Sequence, residues 1–438
     1  MKKLMMFCTI VMQLWSQSAV EIRGLRIFAN EDEYQPPVIV KNGFITIEFD
    51  VVTPLPPDLQ MVFYHASRDW VIDENLFVND PIKMKTDYLS YSSASHGVNT
   101  YTYRFRNSFP NSRNLVEFIH SGNYIVKIVD RDSRNEVLAE GKFIVAENIV
   151  PSSMTIENRL LPESSSPFNQ VNYIAVDVTV PGDYRPDDPQ SVQHTDVTDV
   201  DIIQNWKITE PYRIDADVRD PDTFVEHFYA PSKQFWIRNI PTGNEYRRLD
   251  LSNATTYPNS QIAVQRDGPD VSRFQWQGKP DANGASKLRP FTGPNSNYLE
   301  VEMNLRLPDV PSKRIFVVGG FTDWEVKPEY EMKIDSLTKL FRIHHWVRRG
   351  VYDYQYVLGN VQNGKVVDQD WISLEGNDWR TINRYIALVY YRDRRFGGFD
   401  RIVGMIQGKS PGGDNGKKVS YPQQSRPVRP NPSTGKPR

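Results

Sequence analysis

Between residues 299 and 307 the chain reads Leu-Glu-Val-Glu-Met-Asn-Leu-Arg-Leu, with apolar and polar side chains alternating at every step. A period of two fits a strand with one face buried and one face wet, and it cannot make a one-sided helix. The same alternation recurs in Ile45-Thr-Ile-Glu-Phe-Asp-Val51, Tyr101-Thr-Tyr-Arg-Phe-Arg106 and Tyr124-Ile-Val-Lys-Ile-Val129. Denser apolar runs, Met61-Val-Phe-Tyr-His65 and Tyr385-Ile-Ala-Leu-Val-Tyr-Tyr391, read as central strands covered on both faces. No long stretch carries a 3.6-residue apolar period. The 25 glycines and 31 prolines supply the turns that so many short strands need.

The spacing of these runs predicts an all-β chain of tandem immunoglobulin-like β-sandwiches. Residues 1–18 have the parts of a signal peptide. Lys2 and Lys3 precede a short apolar run ending at Trp15, and Ser16-Gln-Ser18 supplies small residues before a cut at Ala19. Residues 19–148 form an N-terminal Ig-like sandwich and 149–295 a middle β-rich domain, entered through a Pro- and Ser-rich connector at 150–167. Within that domain, 181–200 is a polar loop and Phe274-Gln-Trp276 a short strand. Residues 296–407 form a C-terminal sandwich ending with the run at 385–391. Residues 408–438 are a Pro-rich tail with Lys409, Lys417, Lys418, Arg426, Arg429, Lys436 and Arg438 against the single acid Asp414, and are expected to be disordered.

The only cysteine, Cys8, lies in the signal segment, so an exported mature chain uses no disulfide or thiol chemistry. Losing Lys2 and Lys3 takes the formal net charge from −2 to −4, which argues against nucleic-acid binding. No later run is long enough to span a bilayer, so the chain is not expected to be membrane-embedded. There is no Gly-x-Ser-x-Gly elbow and no phosphate-cradling glycine loop. His344 and His345 are neighbours on a strand, so one ring faces inward and one outward, and they cannot chelate one metal. Asp187 with Asp188 and Asp368 with Asp370 lie in polar loops. No catalytic residue, cofactor, metal site or small-molecule substrate is therefore expected. Arg392, Arg394 and Arg395 form a basic rim after the last central strand, and exposed aromatics and arginines at loop tips are the expected contact types.

The third unit resembles the glycogen-binding-type carbohydrate modules of the E-set class. Val317-Val-Gly-Gly-Phe-Thr-Asp-Trp324 is similar to that family's Val-x-Gly-Ser-Phe-Asn-x-Trp turn, and Gly350-Val-Tyr-Asp-Tyr-Gln-Tyr356 to its Gly-x-Tyr-x-Tyr-Lys-Phe strand. The resemblance implies an E-set-like sandwich in which Gly319 and Gly320 let strand turn into loop. Where the family carries a second sugar-stacking tryptophan this chain reads Leu358-Gly-Asn-Val-Gln362, so only Trp324 maps onto a glycan platform. Periplasmic carbohydrate binding through Trp324 is the alternative reading; in the leading one Trp324 packs at the sandwich edge.

A second resemblance runs from about residue 22 to 406. Leu25-Arg-Ile-Phe-Ala-Asn-Glu-Asp-Glu-Tyr-Gln-Pro-Pro37, Tyr64-His-Ala-Ser-Arg-Asp-Trp70, Ser121-Gly-Asn-Tyr-Ile-Val-Lys-Ile-Val-Asp130, Gly243-Asn-Glu-Tyr-Arg-Arg-Leu-Asp250, Glu375-Gly-Asn-Asp-Trp379 and Phe399-Asp-Arg-Ile-Val-Gly404 follow one another in the order seen in the plug proteins of the bacterial type IX secretion system. That resemblance implies a non-enzymatic periplasmic protein of Bacteroidetes-type bacteria, peripheral to the outer membrane. Its implied partner is the large outer-membrane β-barrel translocon, whose periplasmic opening it closes.

Overall fold

The computed structural model describes residues 20–111, 116–133, 135–161, 170–227, 232–273, 281–289, 291–412 and 418–423. The expected signal peptide with Cys8, the strand expected at 274–276 and most of the tail lie outside them. The protein is all-β, and short 3-10 turns are the only helical elements among the described residues.

The first unit is built from two sheets. One runs in the order Glu21–Ala29, Ile45–Val52, Tyr103–Phe109, Tyr91–Ser93. The other runs Val38–Val40, Glu136–Ala146, Gly122–Asp130, Leu59–Ala66, Lys85–Thr86. Alternation does what it predicts: Ile45, Ile47, Phe49 and Val51 from one sheet share a core with Met61, Phe63, Tyr124 and Val126 from the other. Phe49 and Phe105 stack at 5.0 Å across paired strands.

The second unit recruits strands from far down the chain. One sheet runs Thr223–His227, Ser232–Pro241, Gln170–Thr179, Ser152–Leu160, Lys418–Pro422; the other runs Tyr212–Asp215, Asp199–Gln204, Arg384–Asp393, Phe399–Lys409. The run at 385–391 is central, as its composition predicts, but it pairs with Asp199–Gln204 and not with the third unit. Its two apolar faces have separate uses. Tyr385, Ala387, Val389 and Tyr391 enter the core of the second unit. Ile386, Leu388 and Tyr390 face Val38, Ile144 and Ala146 of the first.

Two segments read as irregular are strands. Ser152–Leu160 buries Met154 and Ile156 on alternate positions inside the stretch taken as a connector. Two inward apolar residues are too few to announce a strand, but neighbours on both sides supply the ladder. Lys418–Pro422, in the tail expected to be disordered, pairs with it. An edge strand needs little apolar content, because its inward backbone groups pair with the sheet and its outward ones stay in water.

The third unit pairs Val351–Gln362 with Arg314–Gly319, Arg247–Asp250, Lys365–Asp370 and Ser286–Lys287. Its other sheet holds Tyr298–Arg306 and Phe341–Arg348, whose eight paired positions include Glu302 opposite His344. Around the Gly-Gly turn, the left-handed residues are Asp323 (φ 55°) and Trp324 (φ 60°), not the glycines. Gly319 and Gly320 serve close approach instead. A Cβ on Gly319 would lie 2.6 Å from the Asp353 carbonyl oxygen, and one on Gly320 would collide with Ser286 Oγ.

Candidate docking surface

The segment joining Leu59–Ala66 to Lys85–Thr86 is rich in Asn and Asp, and these side chains fold it. Asn75 Oδ1 accepts the Phe77 amide at 2.9 Å, Asp80 Oδ1 accepts the Ile82 amide at 2.8 Å, and Asn79 Oδ1 accepts the His65 amide at 2.6 Å. Asx turns of this kind replace missing sheet partners. Val78 and Met84 are buried and anchor the loop from below. Leu76, Phe77 and Ile82 point the other way and are 71%, 72% and 70% exposed. An ordered loop holding several large apolar side chains together in water is an interaction signal, since contiguous exposed apolar patches mark binding sites.

Phe77 does not stand alone. Its ring stacks on Phe396 with centroids 5.4 Å apart and planes at 14°. Phe396 belongs to the turn between Arg384–Asp393 and Phe399–Lys409, where it takes a left-handed φ of 52°. Asn75 Nδ2 donates to the Phe396 carbonyl, fixing the two loops together. Beneath them His120 packs on Phe399 at 4.8 Å and on Phe396 at 6.2 Å. Burial, with the nearby His65 and Arg401, pushes the His120 imidazole down to about 4. It stays neutral at physiological pH and suits the apolar floor. The arginine rim expected from the sequence lies beside this pair, with its charges engaged: Arg392 on Asp400 at 2.8 Å, Arg394 on Asp196 at 2.6 Å and Arg395 on Asp393 at 2.6 Å. Aromatic centre and arginine margin match the residue types that dominate binding hot spots.

The platform under this surface is locked by buried charge. Glu48 accepts from Arg26 at 2.9 Å, from Arg106 at 2.8 Å and from Arg348 of the third unit. Burial alone would raise its carboxyl; the Arg26 and Arg348 guanidiniums overcome that and hold it far below the usual carboxylate range. Tyr298 donates to Asp50 at 3.1 Å, and Glu33 accepts the Arg289 amide at 3.2 Å. Toward the second unit, Arg68 reaches Asp201 at 2.8 Å and Asp199 at 3.3 Å, while Arg401 bridges Glu147 at 2.5 Å and Asp393 at 2.9 Å. The first unit is thus tied to both others by buried ion pairs, whose separation would strand uncompensated charges.

Trp324, the glycan-platform residue of the alternative reading, is 1% exposed. Its Nε1 donates to the Gly284 carbonyl at 2.7 Å and its ring meets Tyr246 at 4.4 Å. Neither face is open to a sugar. His344 is exposed between Glu300 and Glu302, whereas His345 turns in to Tyr330 at 2.8 Å. Asp370 caps its own turn through the Ile372 and Ser373 amides. No cluster of three metal-ligating side chains occurs among the described residues. Phe77 and Phe396 were not singled out by sequence reasoning. The usable signal was Leu76-Phe77, two large apolar residues inside the Asn- and Asp-rich run 73–80.

Comparison with known proteins places these observations. Residues 22–147 match the family model described as Type 9 secretion system plug protein 1st domain. The fold resembles the crystal structure of a hypothetical protein from Parabacteroides merdae, with a TM-score of 0.70 at 18% identity over 89% of this chain and 97% of that one. No curated protein matches. No helix among the described residues is long and apolar enough to cross a membrane.

Proposed function

Because this chain carries the first domain of the type 9 secretion system plug protein family at residues 22–147, we propose that it is a periplasmic plug that closes the large outer-membrane β-barrel translocon of that system. The family match is the observation that carries this reading. In this account the chain is exported by the segment at 1–18, acts without catalysis, and docks from the periplasmic side with its E-set-like third unit as part of the body. Closing a pore requires width, rigidity and a reversible contact. The buried ion pairs of Glu48, Arg68 and Arg401 favour the rigidity. The Phe77–Phe396 surface, whose larger part lies within the matched domain, is the contact we assign.

Full burial of an exposed phenylalanine contributes about 1.5–3 kcal/mol, and covering the 72% of Phe77 and 46% of Phe396 that is exposed contributes a part of that each, a contact that can also release. The test is recovery of the tagged chain from its native host in mild detergent. A large outer-membrane barrel should co-purify with the wild type and be lost from the Phe77→Ser, Phe396→Ser double variant, while circular dichroism stays unchanged. Absence of any such barrel in every secretion state would overturn the plug reading. Undiminished recovery with the double variant would overturn the assigned surface alone.

A further inference from the structure

A cleft of about 680 Å³ lies between the turn that follows Asp199–Gln204 and the strand Lys365–Asp370 with its following loop. That volume suits a ligand of small-molecule size. Into it projects Lys207, which is only 9% exposed. The turn is fixed by the Lys207 amide on the Gln204 carbonyl at 3.2 Å and by Asn205 in a left-handed conformation, so the lysine's position is set by the backbone. Its Nζ lies 4.2 Å from the centroid of the Trp371 ring and 5.8 Å from that of Tyr246.

The amine has aromatic neighbours but no salt bridge: no carboxylate oxygen among the described residues lies within 4.0 Å of it, and Glu210 acts on it only at longer range. The acids that line the same cleft have other engagements. Glu375 is held by Arg247 at 3.0 Å, Asp370 by its own turn, Asp368 by Asn360 at 3.2 Å, and Glu210 accepts from Gln369 at 3.3 Å. Burial, opposed only by the field of Glu210, pushes the Lys207 amine down to about 7. Burying an unpaired cation is costly, so the amine gives up its proton readily until an anion entering from the solvent side supplies the missing partner. A structural lysine would have its partner within the fold, as Lys233 has in the Val197 carbonyl at 2.6 Å.

We propose that this cleft binds a ligand carrying a carboxylate, which ion-pairs with Lys207 and lays its polar body against Gln355 and Gln369. This is a second site, separate from the docking surface and independent of the plug reading. The same chemistry is offered by an acidic sugar and by the free C-terminus of a peptide.

The test follows acylation of Lys207 by an activated acetate ester in the full mature chain, using mass spectrometry with exposed Lys85 as the internal reference. Acetate is titrated against chloride at equal ionic strength. At about ten times its dissociation constant, acetate should slow the Lys207 reaction about tenfold and leave Lys85 unchanged. Two further pairs identify the source: galacturonate against galactose, and a tripeptide free acid against its amide. The acid that protects at the lower concentration is the better mimic of the ligand. Equal rates in acetate and chloride would overturn the proposal. So would equal protection by the neutral member of each pair. As an independent check, Lys207→Met should stay folded and lose the calorimetric heat of the best acid probe; unchanged heat would also overturn it.

Discussion

Replacing Trp324 with alanine separates its two readings by magnitude. The ring is 1% exposed and packs among Tyr246, Phe316, Val318 and Val357, on the outer face of the sheet holding Arg314–Gly319 and Val351–Gln362. Removing a fully buried tryptophan costs about 3–5 kcal/mol, as transfer free energy plus the cavity left behind. The upper end is expected here. The Gly284 carbonyl loses the indole N–H at 2.7 Å and is left unpaired beside an apolar hole. Trp324→Phe isolates that part: it keeps most of the ring volume, loses the hydrogen bond, and should cost about 1–3 kcal/mol. The assay is urea unfolding by far-UV circular dichroism, with native-state hydrogen exchange on Val351–Gln362 as the local readout. Exchange matters because a chain of several packed units need not unfold in one step. A loss below about 1 kcal/mol for Trp324→Ala would refute the packing argument, since no buried indole of this kind is so cheaply removed. Retention on immobilised α-glucan that disappears in a variant of unchanged stability would restore the carbohydrate reading.

Two further outcomes follow from the same geometry. Gly319→Ala should destabilise by about 1–3 kcal/mol, measured by the same urea transition, because the added methyl meets the backbone of the paired strand at Asp353 and Tyr354, which cannot step aside. Glu48→Gln should cost about 3–5 kcal/mol at neutral pH by leaving Arg106 and Arg348 without their carboxylate, while Arg26 keeps Glu33 at 2.6 Å. The folded Glu48 carboxyl is depressed from its ordinary 4.5, so its stabilisation is complete above that value and is lost as pH falls toward the folded value. Stability measured against pH should therefore show wild type and Glu48→Gln converging below about pH 4; parallel curves would count against the network.

Glu48 also illustrates why buried charge was invisible beforehand. In Ile45-Thr-Ile-Glu-Phe-Asp-Val51 it sits at an outward position of an alternating strand, where a solvated acid is the ordinary expectation. The outward face of this strand is covered by a neighbouring unit, and Arg348, which meets it there, lies 300 positions away in sequence. Lys207 is a similar case. A single lysine in a turn carries no mark of burial until the loop around Trp371 closes over it.

The strongly alternating strands and the all-β class are legible in the residues alone, because a period of two is a local property set by the geometry of one extended backbone, whereas Ser152–Leu160 and Lys418–Pro422 carry too few apolar residues to show it. The double-sided apolar run at 385–391 was likewise correctly read as central. What only the tertiary structure decided is partnership. Asp199–Gln204 joins Arg384–Asp393, and Ser152–Leu160 joins Lys418–Pro422, through backbone groups that are the same in every residue and so leave no trace in side-chain order. The same holds for Trp324 and Phe77. Both are aromatics beside turns; one is enclosed and the other stands in water because of which distant segments pack against each.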